Sequence, residues 1–177
     1  MYKPWHYLSV LVGVILVVAA PAWADYQAGV EAFTRGDYNT ALRVFHPLAE
    51  GGHAEAQAML GNIYTPGLGV PHDNHQAAKW YRLAAEQGLA RAQLNLGLMY
   101  SKGQGVSKDN VLAHMWLTLA GAQGNAYARR AQNAVEKLMG NRNDKRPFCL
   151  DRNVPKNSPC ALLIYRIRSD MVCLSSQ

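Results

Sequence analysis

The chain has 177 residues, 49% of them hydrophobic and 17% charged, which suits one domain with a sizeable buried core. Lysines and arginines exceed acids by six, a modest excess that favours an acidic partner or a membrane surface. The basic residues are scattered and no aromatic-rich basic groove accompanies them, so the charge does not argue for nucleic acid.

Residues 1–24 read as a secretory signal. Lys3 is the only charge before Asp25, an apolar run from Leu8 to Ala20 follows, and Ala22-Trp23-Ala24 offers the small residues that signal peptidase needs. The run is shorter than the roughly 20 residues that span a bilayer, and no second spanning segment follows. The mature chain is therefore expected to start at Asp25 and to carry no integral membrane span. An uncleaved N-terminal anchor is the alternative.

From residue 54 onward the sequence repeats. Ala54-Glu55-Ala56-Gln57 returns as Ala90-Arg91-Ala92-Gln93, and in degenerate form as Ala126-Tyr127-Ala128-Arg129. Leu60-Gly61-Asn62-Ile63-Tyr64 returns as Leu96-Gly97-Leu98-Met99-Tyr100. Ala77 and Trp80 return as Ala113 and Trp116, and Gly52, Gly88 and Gly124 share one register. Every offset is 36 residues. A fixed period of this length marks a solenoid of supersecondary units.

Each unit predicts two helices. Leu60 and Tyr64 share a face of the first. Gly61 and Gly97 sit inside that helix, at about 1 kcal/mol each relative to Ala, which close approach of a large side chain such as Trp80 would offset. In the second helix Ala77, Trp80, Tyr81 and Ala84 fall at i, i+3, i+4 and i+7, the spacing of a packed face. Asp73 and Asp109 are placed to cap this helix, Gln76 to complete a capping box, and Gly88 to end it in a left-handed C′ residue. Between the helices, Gly67 and Gly69, then Gly103 and Gly105, permit a compact turn. They are not a phosphate cradle, because neither G-x-G-x-x-G nor G-K-[ST] is present.

The pattern resembles the Sel1-like repeat family, a relative of tetratricopeptide repeats. The signature A-x-A-Q-x-x-L-G-x-x-Y-x-x-G-x-G-V-x-x-D-x-x-x-A-x-x-W-Y-x-x-A-A-x-x-G is met from Ala54 through Gly88. The copy from Ala90 through Gly124 departs at Leu117 and Gly121. Gly36-Asp37-Tyr38, Ala41 and Phe45 look like a tetratricopeptide unit, with Gly29 at its small-residue position. The resemblance implies an all-α fold: an α/α superhelical solenoid of Sel1-like and tetratricopeptide-like helix pairs. The units are expected at about 26–52, 54–88 and 90–124, with a capping helix at 126–139, so that the repeat domain spans 25–139.

Residues 140–177 change character and predict an irregular tail. Gly140, Pro147, Pro155 and Pro159 are loop signals, and the short apolar run Leu162–Ile167 fits a strand or a helical turn equally. All three cysteines lie here. In an oxidising compartment two can pair, and Cys149 with Cys160 is favoured because they are close neighbours across a Pro- and Asn-rich loop. Cys173 is then free or intermolecular.

Nothing in the sequence converges on catalysis. His72-Asp73-Asn74-His75 is the best local metal candidate, yet zinc needs three or four ligands, Asp73 has a capping role, and His46, His53 and His114 are dispersed. Neither G-x-S-x-G nor S-x-x-K occurs. Some disulfide-rich Sel1 proteins have been proposed to act on β-lactams, but their repeats are stapled by cysteines and these repeats hold none. No catalytic residue, metal or cofactor is expected.

What remains is a surface. By resemblance to tetratricopeptide units, the first helix of each pair lines a concave face, whose non-core positions include Glu55, Asn62, Arg91, Asn95 and Arg130. Arginine and asparagine there suit a carboxylate or an extended peptide through charge-assisted hydrogen bonds. The expected function is a non-catalytic scaffold or adaptor in the cell envelope, periplasmic, binding a protein or peptide partner that is acidic in character. A secreted effector that binds host proteins and an envelope hydrolase are the rival readings.

Overall fold

The computed structural model describes residues 25–139. The expected leader and cleavage site, the cysteines with their expected Cys149–Cys160 pair, and the expected tail lie outside the described residues. Within them every regular element is a helix: α1 at 25–34, α2 at Tyr38–Glu50, α3 at Ala54–Tyr64, α4 at Asn74–Glu86, α5 at Ala90–Lys102, α6 at Asn110–Ala122 and α7 at Ala126–Leu138. The chain divides after Leu89 into two compact units, one holding α1–α4 and the other α5–α7. None of the described helices is long and apolar enough to cross a membrane.

In the first unit, consecutive helices pack as antiparallel neighbours joined by short turns, as expected of helical-repeat chains. Phe45 and Leu60 are fully buried, with Ile63 and Ala41 beside them, and Trp80 and Tyr64 lie against the rim of this core. In the second unit Leu96, Leu117 and Trp116 play the same part. Small residues at the contacts let the helices approach closely. A Cβ on Gly61 would lie 2.5 Å from the ring of Tyr81, one on Gly97 would lie 2.8 Å from Leu117 Cγ, and one on Gly29 would lie 2.6 Å from the ring of Phe45. The side chain received by Gly61 is thus Tyr81 and not Trp80, its neighbour in sequence. Adjacent helical residues point about 100° apart, and it is Tyr81 that turns into the α3–α4 contact.

Helix ends are sealed in a repeating way. After α4, Gly88 takes φ +93°, its N–H donates to the Ala85 carbonyl, and Leu89 N–H donates to Ala84. This pair of bonds is the Schellman arrangement that a left-handed glycine permits. Gly52 and Gly124 hold the same conformation with the same pair of bonds. Asp73 Oδ1 accepts from the N–H groups of His75 and Gln76, and Asp109 Oδ1 accepts from those of Val111 and Leu112. The reciprocal half of the expected capping box is not used. The Asp73 N–H that Gln76 would have bonded donates instead to the Tyr64 carbonyl, and Asp109 N–H donates likewise to Tyr100. Each cap therefore also fastens the start of the second helix to the end of the first.

Gly67 is required by this loop twice over. Its φ is +78°, and a Cβ there would lie 2.8 Å from the backbone nitrogen of His72. Gly69, Gly103 and Gly105 share the positive φ.

The glutamine of the A-x-A-Q motif is a buried fastener. Gln57 is 3% exposed, and its Nε2 donates to the Ala49 carbonyl at the end of α2 while its Oε1 accepts from Gln87 Nε2 beyond α4. Gln123 Nε2 donates to Gln93 Oε1 in the same geometry, 36 residues on. A buried amide satisfied on both sides ties helix ends that apolar packing alone would leave free to slide.

Candidate interaction surface

The residues expected on the first-helix faces fall into two groups. On α3, Glu55 is exposed in the first turn and lies 3.4 Å from His53 Nδ1, the atom that also accepts the Ala56 N–H at the head of the helix. Asn62 does not belong to a free surface. It is half-buried, its Oδ1 accepts the Tyr81 hydroxyl at 2.7 Å, and its amide lies against Met59 Sδ at 3.8 Å. Tyr81 crosses Gly61 and reaches the next residue along, so Asn62 serves the packing of α4. In the second unit Leu117, 36 residues after Tyr81, meets Gly97, and an apolar Leu98 stands 36 residues after Asn62.

In the second unit, Arg91 is exposed near the start of α5, and Asn95, one turn on, is half-buried. Arg130 is exposed on α7, with its guanidinium carbon 6.0 Å from the centre of the Tyr127 ring. Helix α7 packs on α6 and also touches α5, so Arg91 and Arg130 stand on neighbouring first helices of one compact unit. Among the described residues no carboxylate pairs with either arginine. Sequence reading missed two exposed large apolar residues of this region: Tyr127 is 74% exposed and Leu138 is 67% exposed.

The remaining candidates are structural. Tyr64 contacts His46, its hydroxyl 3.2 Å from Nε2, and the His46 ring stands edge-on to Trp80 at 5.9 Å between centres. Trp116 is buried, whereas Trp80, expected on the packed face of its helix, is only half-buried. Ala77, Ala113 and Tyr100 are buried. In the His72-Asp73-Asn74-His75 stretch, His72 Nδ1 donates to the Thr65 carbonyl, Asp73 caps α4 and His75 is exposed. Among the described residues no group of three His, Cys, Asp or Glu is placed to hold one metal ion. His114 accepts from Gln132 Nε2 at 3.3 Å and joins α6 to α7.

Paired helices at a fixed period, sealed by glycines and held by buried glutamines, define an α-helical repeat protein. Two such repeats belong to a known family: residues 54–89 and 90–125 each match the Sel1 repeat. A Sel1 repeat protein from Oxalobacter formigenes, known from its crystal structure, is 36% identical over 62% of this chain and 45% of that one, with a TM-score of 0.60. A protective antigen present in uropathogenic Escherichia coli strains, displaying an SLR fold, is 37% identical over 66% of this chain and 26% of that one, with a TM-score of 0.63. This chain spans less than half the length of either protein. No curated protein matches it. The fold is that of the α/α Sel1-like solenoids, and Sel1 repeats generally mediate protein–protein interaction on a non-catalytic scaffold.

Proposed function

We propose that this protein is an exported scaffold that binds a protein or peptide partner in the cell envelope through the first-helix faces of its repeats. The observation that carries the reading is the pair of exposed arginines, Arg91 on α5 and Arg130 on α7, with no carboxylate beside them among the described residues. Solvated arginines are common on helices, but two on adjacent first helices of one unit form a site for acidic side chains or a terminal carboxylate. Export is supported by the leader-like sequence of residues 1–24, and assembly or regulation of an envelope complex is the role such a scaffold would serve.

Crosslinking in intact cells, followed by fractionation, tests this reading. The protein is expected in the periplasmic fraction, joined to one or a few envelope proteins. Recovery from the culture medium would favour a secreted effector instead, and turnover of peptidoglycan or a β-lactam by the pure protein would replace the scaffold with a hydrolase.

A further inference from the structure

Helix α7 carries a face that its place in the repeat does not explain. Tyr127, Ala131, Ala134 and Leu138 are spaced i, i+4, i+7 and i+11, so they form one stripe along the helix. The two large members are 74% and 67% exposed. At the corresponding positions 36 residues earlier, α5 has Arg91, Asn95, Leu98 and Lys102, three of them polar. The packed side of α7 is separate, with Ala128 and Val135 as its buried residues. Solvated faces of repeat helices are normally polar, so an apolar stripe here is costly unless something covers it.

Charge says what covers it. Along one edge of the stripe run Arg130 and Lys137. Between Ala90 and Met139 there are six lysines and arginines and two acids. Asp109 is committed to capping α6, and Glu136 lies on the far side of α7, about 180° around the helix from Tyr127. The chain's own tail is a poor occupant, because residues 140–177 carry seven basic and three acidic residues and bring like charge to a basic edge. A second copy meeting the stripe face to face would set the same Arg130 and Lys137 edges against each other. We infer that the outward face of α7 docks the apolar side of an acidic amphipathic helix from a partner protein. The leucines of such a helix would lie along Tyr127 and Leu138, and its glutamates would meet Arg130 and Lys137, in the manner of a helix laid on an apolar groove. This inference rests on the scaffold reading and deepens it on α7, where Tyr127 and Ala131 hold the positions that Arg91 and Asn95 hold on α5 and Arg130 borders the stripe.

The test uses the full mature chain and a designed, fluorescently labelled 18-residue peptide with leucines at heptad a and d positions and glutamates flanking them, followed by anisotropy. Saturable binding is expected, weakened about tenfold or more by Leu138→Glu and by the double variant Tyr127→Ala/Arg130→Glu. Both changes are at exposed positions, and unchanged helical circular dichroism and Tm would show that the fold is intact. A matched peptide with lysines for glutamates should not bind. No binding of the acidic peptide, or equal binding of both peptides, overturns the proposal. So would a dimer in sedimentation that Leu138→Glu dissolves, which gives the face to a second copy. A Lys137–Lys156 crosslink in the free protein would give it to the tail and overturn the proposal as well. Because the probe is a designed peptide, failure here leaves envelope binding through Arg91 standing, and loss of envelope binding leaves this result standing.

Discussion

Tyr81 lies across Gly61 and hydrogen-bonds Asn62 at 2.7 Å, so one side chain of α4 is fixed by two successive residues of α3. The ring fills the space a Cβ would need, and the hydroxyl keeps the ring from swinging aside. The second repeat sets Leu117 against Gly97 and carries Leu98 where the first carries Asn62.

Exchanging one solution for the other tests that contact. Asn62→Leu alone removes an acceptor from the Tyr81 hydroxyl, and Tyr81→Leu alone removes the donor to Asn62 Oδ1, each at about 1–2 kcal/mol for a partly buried group. The double variant Asn62→Leu/Tyr81→Leu should lose less than the sum by about 0.5–1.5 kcal/mol. Urea unfolding of the four proteins measures the coupling, and strictly additive losses would show that the two side chains act independently.

Gly61→Ala should destabilise the protein by about 1–3 kcal/mol of overpacking, set against roughly 1 kcal/mol gained from better helix propensity. The sign is expected to remain unfavourable because Tyr81 is anchored at its hydroxyl. Thermal unfolding decides, and a higher Tm would mean the ring can move aside freely.

The two tryptophans should differ. Trp116 is 3% exposed, and Trp116→Ala is expected to cost about 3–5 kcal/mol, as for other buried large aromatics. Trp80 is half-buried at the rim beside His46 and should cost about half as much or less. Equal losses in thermal unfolding would contradict this burial pattern.

The period, the helix pairs and their glycine stops were legible in the sequence because each rests on a local requirement that recurs: a left-handed C′ residue, a capping aspartate, a missing Cβ. Which neighbour uses each feature was less legible. Period alone assigned Gly61 to Trp80, because residues 80 and 81 both lie near the packed face and only the crossing of α3 and α4 chooses between them. Asn62 looked like a surface residue for the same reason, since its partner is 19 residues away in sequence. The α7 stripe is present in the spacing of Tyr127, Ala131, Ala134 and Leu138, but the period sets Tyr127 against the polar Arg91 and so does not mark the position as apolar.

Acid should weaken the head of α2. Asp37 caps that helix, and its carboxyl is held below the usual aspartate value, first by the side chain of Thr40, then by the Thr40 N–H, with Arg43 and Arg35 adding charge. A lowered folded-state pKa means that the contribution is complete above the ordinary value near 3.8 and is lost as pH falls through the lower folded value. Asp37 is fully exposed, so the effect is small. Comparing Tm against pH for Asp37→Asn and the unchanged chain should show the variant flatter below pH 4. Parallel curves would remove Asp37 from the account.

Binding of a partner by the first-helix faces is tested most closely at Arg91. Arg91→Ala should leave Tm unchanged, because the side chain is exposed and among the described residues meets no carboxylate. Titrated against the envelope partner recovered by crosslinking, the variant should bind about 2–5 kcal/mol more weakly, the loss expected when a charge-assisted contact at a desolvated interface is removed. A folded Arg91→Ala protein that binds this partner with unchanged affinity would contradict the claim.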